Sequence, residues 1–240
     1  SACALAPLAA AETPVQSVDL LLTSATVVDV EKGTTTPDQL VAVRGGDIVA
    51  VGPEGEAGRY RAARTLDLGD RYVMPGLWDM HVHFGGGETL IEENAELMPL
   101  FVVNGVVAVR DAAGDLAQQV LDWRASPPTA DAPRIFTSGP KIEGIAPVWK
   151  GVIETGSEAE VDAALDRLQV LRVDFVKITD NTLTPELFLY AVREAKKRGM
   201  KTSAHIPASI TVLEAAEAGL SSIEHLDYAM KAGSRDEADI

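Results

Sequence analysis

Cysteine is nearly missing from this chain: Cys3 is the only one in 240 residues. The folded part therefore has no internal disulfide and no thiolate metal site, and any ion it binds must be held by nitrogen and oxygen. Positive charge is also scarce. Twenty-one Lys and Arg against 36 Asp and Glu leave a formal net charge of −15, which repels polynucleotides and anionic membrane surfaces and favours solubility. No nucleic-acid partner is expected. No run approaches the ~18 uncharged apolar residues of a spanning helix, so no membrane span is expected either. What is present is globular in composition, 46% hydrophobic and 24% charged, in a length that admits one large or two modest domains.

Histidine is sparse, and each of its four occurrences, His81, His83, His205 and His225, ends an apolar run that reads as a β-strand. Side chains at i and i+2 of a strand share a face, so His81 and His83 can grip one ion. At the N-terminus, residues 1–11 resemble the tail of a secretory signal, a small-residue apolar stretch ending in an Ala9-Ala10-Ala11 cleavage pattern. Export to the periplasm or the medium is expected, against the plainer reading of a disordered Ala-rich terminus or cloning remnant; Cys3 could also take a lipid, but the later alanine site competes with it.

Residues 12–74 contain short β-branched runs at 18–30, at 40–52 around a Gly45-Gly46-Asp47 turn, and at 60–68, which make a small β-module. From residue 75 to 240 the pattern becomes strand, loop, helix. Strands are expected at 78–84, 106–111, 134–138, 174–179, 201–206 and 221–226, with helices at 92–104, 115–125, 157–171, 185–198 and 209–218. Ser157 with Glu160 is spaced as a capping box, Pro185 follows a Thr184 N-cap, and Gly105, Gly199 and Gly219 stand where helices stop. Such alternation makes a parallel sheet. A closed (β/α)8 TIM barrel is expected rather than an open doubly wound sheet, because His81, His83, Lys177, His205 and His225 all fall near C-terminal strand ends, where such barrels carry their chemistry. Only about six barrel strands fit before Ile240, so the barrel is expected to be incomplete and the chain to be the N-terminal part of a longer one.

Two segments carry a resemblance: Val73-Met74-Pro75-Gly76-Leu77-Trp78-Asp79-Met80-His81-Val82-His83 and Val109-Arg110-Asp111-Ala112. With the rest of the chain after residue 18, they resemble the metal-dependent amidohydrolase superfamily, in the imidazolonepropionase-like and prolidase-like branch that includes ochratoxin-degrading amidohydrolases. The resemblance implies a β-sandwich module ahead of the barrel and two divalent metal ions, zinc by preference. It further implies that His81 and His83 hold one ion and His205 and His225 the other, with Lys177, carboxylated by CO2, bridging them. The family's last essential residue, an aspartate after strand eight that serves as general base, has no counterpart within these 240 residues. From the residues themselves, Lys177 follows the apolar Phe175-Val176, and burial there would favour the neutral amine that can capture carbon dioxide.

The implied chemistry is hydrolysis of a small-molecule amide, an N-acyl amino acid or dipeptide, ochratoxin-type N-acyl phenylalanines included. Tyr228, three residues beyond His225, could donate to the substrate carbonyl or be a surface tyrosine. The apolar loop 141–151 with Trp149 could wall a pocket or form an oligomer contact, and a homo-oligomer is expected. Lys141, Lys150 and Arg110 are candidates for pairing with a substrate carboxylate. The rival readings are a one-metal deaminase or a cyclic-amide hydrolase of the same superfamily, and a non-catalytic scaffold.

Overall fold

The computed structural model describes residues 14–126, 129 and 131–234; the signal-like residues 1–11, Cys3 among them, lie outside the described residues. The chain divides into two compact units, one ending at Pro75 and one starting at Gly76.

The first unit is built on one long strand, β1 (Gln16–Asp29), which pairs antiparallel with β2 (Thr34–Arg44). The hairpin at Gly45-Gly46 returns the chain as β3 (Asp47–Pro53), and β4 (Tyr60–Asp67) and then β5 (Tyr72–Val73) pair parallel with the other edge of β1. Val18, Leu21, Leu40 and Ala42 bury one face. Among the described residues this is a single five-stranded sheet of order β3-β2-β1-β4, without the second layer of a sandwich. The physical reason is the length of β1: at 14 residues it offers both edges to successive partners, so runs that patterning could divide between two layers join one.

The second unit alternates strand and helix. It runs β6 (Leu77–Val82), α1 (Ile91–Val103), β7 (Val106–Asp111), α2 (Ala117–Ala125), β8 (Arg134–Thr137), β9 (Ile142–Glu143) and β10 (Ile153–Glu154). It continues with α3 (Glu158–Val170), β11 (Val176–Ile178), α4 (Pro185–Lys197), β12 (Thr202–Ala204), α5 (Val212–Ala218), β13 (Ser222–Ile223) and α6 (Leu226–Ala232). All strand pairings are parallel, in two sheets of order β6-β7-β8 and β10-β9-β11-β12-β13. Asp174 joins them: its N–H donates to the Thr137 carbonyl at 2.9 Å and its carboxylate accepts from the Thr137 N–H at 2.8 Å. Closure into eight strands is not made by the described residues.

Three helices, α3, α4 and α5, begin where side chains satisfy their first free N–H groups. Ser157 accepts from the Glu160 N–H, Thr184 from Leu187, and Thr211 with Glu214 forms a reciprocal capping box. That box is why α5 begins at Val212 and not at the expected 209. The apolar faces of α3, α4 and α5 pack on β11 and β12 around Leu165, Leu168, Val176, Ile178, Phe188 and Val192. A second cluster around Met98, Val109, Val120, Trp123 and Ile135 holds α1 and α2 against β7 and β8.

The strands are shorter than their apolar runs. β12 stops at Ala204 and β13 at Ile223, so His205 and His225 stand just past the ladder, as His83 does beyond β6. The loop 141–151 returns along its own path, with Ile153 N–H donating to the Lys141 carbonyl at 2.8 Å and Thr155 N–H to the Glu143 carbonyl at 2.9 Å.

Candidate metal centre

Parallel register places Lys177 of β11 opposite Ser203 of β12, and Ser203 opposite Ser222 of β13. Paired positions share a face, as do positions two apart, so Lys177, His205 and Glu224 are sent to the same side. His225 follows Glu224 directly and on a regular strand would point the other way. Its φ of 69° breaks the strand and turns the ring back toward the others. Left-handed backbone at a β-carbon-bearing residue costs ~1–2 kcal/mol, and such strain concentrates at functional sites.

The four rings meet as two pairs. Nε2 of His81 lies 2.9 Å from Nε2 of His83, and Nε2 of His205 lies 3.1 Å from Nε2 of His225. The His81 and His225 ring centroids are 4.8 Å apart, which joins the pairs into one cluster. Nδ1 of His83 faces the Ala113 carbonyl at 3.2 Å, and Nδ1 of His81 contacts the Glu224 carboxylate. Both partners only accept, so each Nδ1 carries the proton and each Nε2 turns a lone pair toward the other. Such a pair can share a metal ion, or a single proton, between its two Nε2 atoms. This is the arrangement of metal-ligating histidines oriented by a carboxylate or a backbone carbonyl behind them.

Electrostatics favours the neutral form of two rings, His205 and His83. Burial, with the charge of Lys177 and the neighbouring His225, pushes His205 down to about 4, and burial with the neighbouring His81 lowers His83. Lys177 is 1% exposed and its Nζ has no hydrogen-bond partner among the described residues. Burial pushes its amine down to about 8 against the pull of the Glu224 charge. Its charge acts on His83 from one pair and on His205 from the other. Among the described residues no three His, Cys, Asp or Glu side chains form a complete ligand set. The histidines come together two by two, and a lysine ammonium adds no lone pair to them, whereas a lysine carbamate would offer two oxygens. The donor set, two histidine pairs around an orphaned buried amine, fits a bound divalent metal.

A cavity of about 530 Å³ opens on this cluster, lined by His83, Lys141, Trp149, Lys150, Lys177 and His205 among others. Three of the sequence candidates, Lys141, Trp149 and Lys150, are thus brought to it. Tyr228 of α6 stacks near His205 with ring centroids 6.5 Å apart, and burial raises its pKa. Arg110 goes elsewhere. Its guanidinium donates to Glu224 at 2.8 Å, to Ser222 Oγ at 3.1 Å and to the Met80 carbonyl at 3.1 Å, and lies 4.0 Å over the Phe175 ring. It lines a different cavity, of about 580 Å³, and not the one with Trp149 and Lys150.

Sequence reasoning passed over Glu224. Although burial works against it, hydrogen bonds from Ser203 and Arg110 and the nearby Lys177 charge hold its carboxyl down at about 2. It therefore orients His81 as a full anion. The available signal was its place in Ile223-Glu224-His225, a carboxylate at a strand end beside a candidate ligand. Asp111 was also missed. It is fully buried, accepts from the Phe84 N–H at 3.3 Å and from Thr137 Oγ1 at 2.8 Å, and burial raises it to about 6. It ties the segment after His83 to β8.

No family model matches the chain. Over 84 residues it is 40% identical to the 5-methylthioadenosine/S-adenosylhomocysteine deaminase of Syntrophobacter fumaroxidans, which covers 34% of this chain and 19% of that protein. Over 216 residues it is 26% identical to the ochratoxinase of Aspergillus niger, covering 65% of this chain and 44% of that one. The crystal structure of A. niger ochratoxinase matches with a TM-score of 0.69 at 18% identity, over 92% of this chain and 62% of the other. A Xaa-Pro dipeptidase solved with methionine in its active site matches with a TM-score of 0.69 at 24% identity, over 90% of this chain and 65% of the other. The solved structures share the fold. The chain spans less than half the length of these two sequence relatives.

Proposed function

We propose, from the chain's similarity to imidazolonepropionases and to ochratoxinase, that it is an amidohydrolase of the prolidase-like and imidazolonepropionase-like branch and that the site hydrolyses the amide bond to a C-terminal amino acid. His81 and His83 would hold one divalent ion and His205 and His225 a second, with carboxylated Lys177 as the shared ligand and zinc the preferred metal. The carrying observation is the Lys177 amine, buried without a partner among the four histidines. Divalent ions bound there supply Lewis acidity to an amide carbonyl and to a water.

The chain's own residues prepare that chemistry. The neutral Lys177 amine forms an N–C bond to carbon dioxide and gives up a proton to solvent, leaving an anionic carbamate. Glu224, fixed by Arg110 and Ser203, keeps the proton of His81 on Nδ1 and its Nε2 lone pair toward His83. Tyr228, beside His205, donates to the substrate carbonyl oxygen. The ochratoxinase and dipeptidase relatives support N-acyl amino acids, N-acyl phenylalanines included, and dipeptides as the substrate class. The parallel strands of the second unit are read as part of a TIM barrel, and the enzyme is read as exported and self-associating.

The test is metal content together with turnover. The expected outcome is two ions per chain, release of amino acid from N-acyl phenylalanines, and loss of activity in Lys177→Ala that added short carboxylates restore. Lys177→Ala with parental turnover and no added carboxylate refutes the assignment. The likeness to a deaminase over 84 residues favours one other reading. One ion per chain, an unmodified Lys177 and ammonia release from aminopurine nucleosides would establish it instead.

A further inference from the structure

We propose that Lys141, set against the indole of Trp149, binds the free carboxylate of the substrate's amino-acid end and makes the site select acids over their amides. The inference rests on the amide-hydrolase reading above and adds the residue that reads the substrate.

The argument begins with charge. The protein carries a net charge of −15, yet the charged side chains lining the cavity are Lys141, Lys150 and Lys177 against Asp115 alone. Asp115 is engaged, its Oδ1 accepting from the Gly86 N–H at 3.0 Å. Lys177 belongs to the metal bridge, and Lys150 lies exposed at the rim. Lys141 differs from both: it is 8% exposed and makes no ion pair among the described residues. Burial lowers the pKa of its amine in spite of the Glu143 charge. The Glu143 carboxylate is itself taken up by Thr179, by Asn181 Nδ2 at 3.2 Å and by the Thr182 N–H at 3.1 Å. The amine thus carries its charge into the cavity with no carboxylate bonded to it among the described residues, where an arriving anion is favoured.

The amine is also held in place. Ile142 and Glu143 are fully buried, and the Lys141 carbonyl accepts from the Ile153 N–H at 2.8 Å. A Cβ on Gly144 would meet the Thr182 carbonyl oxygen at 2.0 Å, so the backbone on that side is pressed against its neighbour. Nζ lies 5.3 Å from the Trp149 ring centroid, within cation–π range. The same indole offers an apolar wall to the substrate side chain. Arg110, the other cation suited to a carboxylate, is consumed by Glu224 and Ser222.

The experiment compares kcat/KM for an N-acyl-L-phenylalanine and for its carboxamide, both followed by release of the acyl acid, in the parent, Lys141→Met and Lys141→Arg. Calorimetric binding of both compounds to the metal-free proteins is measured alongside. A charge-assisted contact of this kind contributes ~1.5–3 kcal/mol, so the acid-over-amide ratio should fall roughly 10- to 100-fold in Lys141→Met, mainly through KM, and largely persist in Lys141→Arg. The binding preference for the acid should fall with it. A parent without preference, or equal weakening towards both compounds in Lys141→Met, overturns the proposal while leaving the hydrolase reading intact. A parent that hydrolyses neither compound overturns the hydrolase reading and the proposal with it.

Discussion

Replacing Asp111 by Asn isolates the cost of one buried carboxylate. Asp111 is fully buried, with no cation against it among the described residues; its partners there are Thr137 Oγ1 and backbone N–H groups. Burial raises its pKa from 3.8 to about 6. The folded state therefore holds the proton more tightly than the unfolded chain. Its contribution is intact below pH 3.8 and is progressively lost as pH rises through about 6. A shift of this size is a loss of about 3 kcal/mol in full; roughly half is already incurred at pH 5, leaving about 1.5 kcal/mol between pH 5 and 7.5. Asn carries no charge at any pH, so Asp111→Asn should lack that slope. Its amide replaces an acceptor with a donor toward Thr137, a pH-independent penalty of ~1 kcal/mol. Urea unfolding followed by tryptophan fluorescence suits the measurement, because Trp78, Trp123 and Trp149 all lie in the second unit. Stability relative to the parent should improve by about 1.5 kcal/mol from pH 5 to 7.5. Parallel pH profiles for the two proteins would refute the reasoning.

Glu224→Gln keeps the shape of the side chain but removes the anion that orients His81, so zinc affinity, measured by competition with a chelator, should weaken about 10- to 100-fold. Unchanged affinity would show that Glu224 is structural only. Gly114→Ala puts a methyl group 1.7 Å from the Phe84 carbonyl oxygen, a backbone atom that cannot yield cheaply. The expected loss is at least ~2 kcal/mol in thermal or urea unfolding; a variant as stable as the parent would contradict the close approach of these two segments.

Much of the second unit was legible because its signals are local. Period-2 spacing puts His81 and His83 on one face whatever surrounds them, and the Ser157 and Thr184 caps mark helix starts within three residues of themselves. Alternating strand and helix patterns decided parallel pairing for the same reason. What stayed hidden depends on residues far apart in the chain. Glu224 joins His81 and Arg110 across 143 and 114 positions, contacts that leave no trace in either local pattern. The turn of His225 rests on a single φ of 69°, which strand periodicity cannot show. The sequence offered Lys141, Lys150 and Arg110 as equals. Packing separated them by spending Arg110 on Glu224 and leaving Lys141 in the cavity without a counter-ion. Residue type and spacing thus determined which side chains could serve, and tertiary contacts decided which were free to do so, because a charge is available to a ligand only where the fold has not already neutralised it.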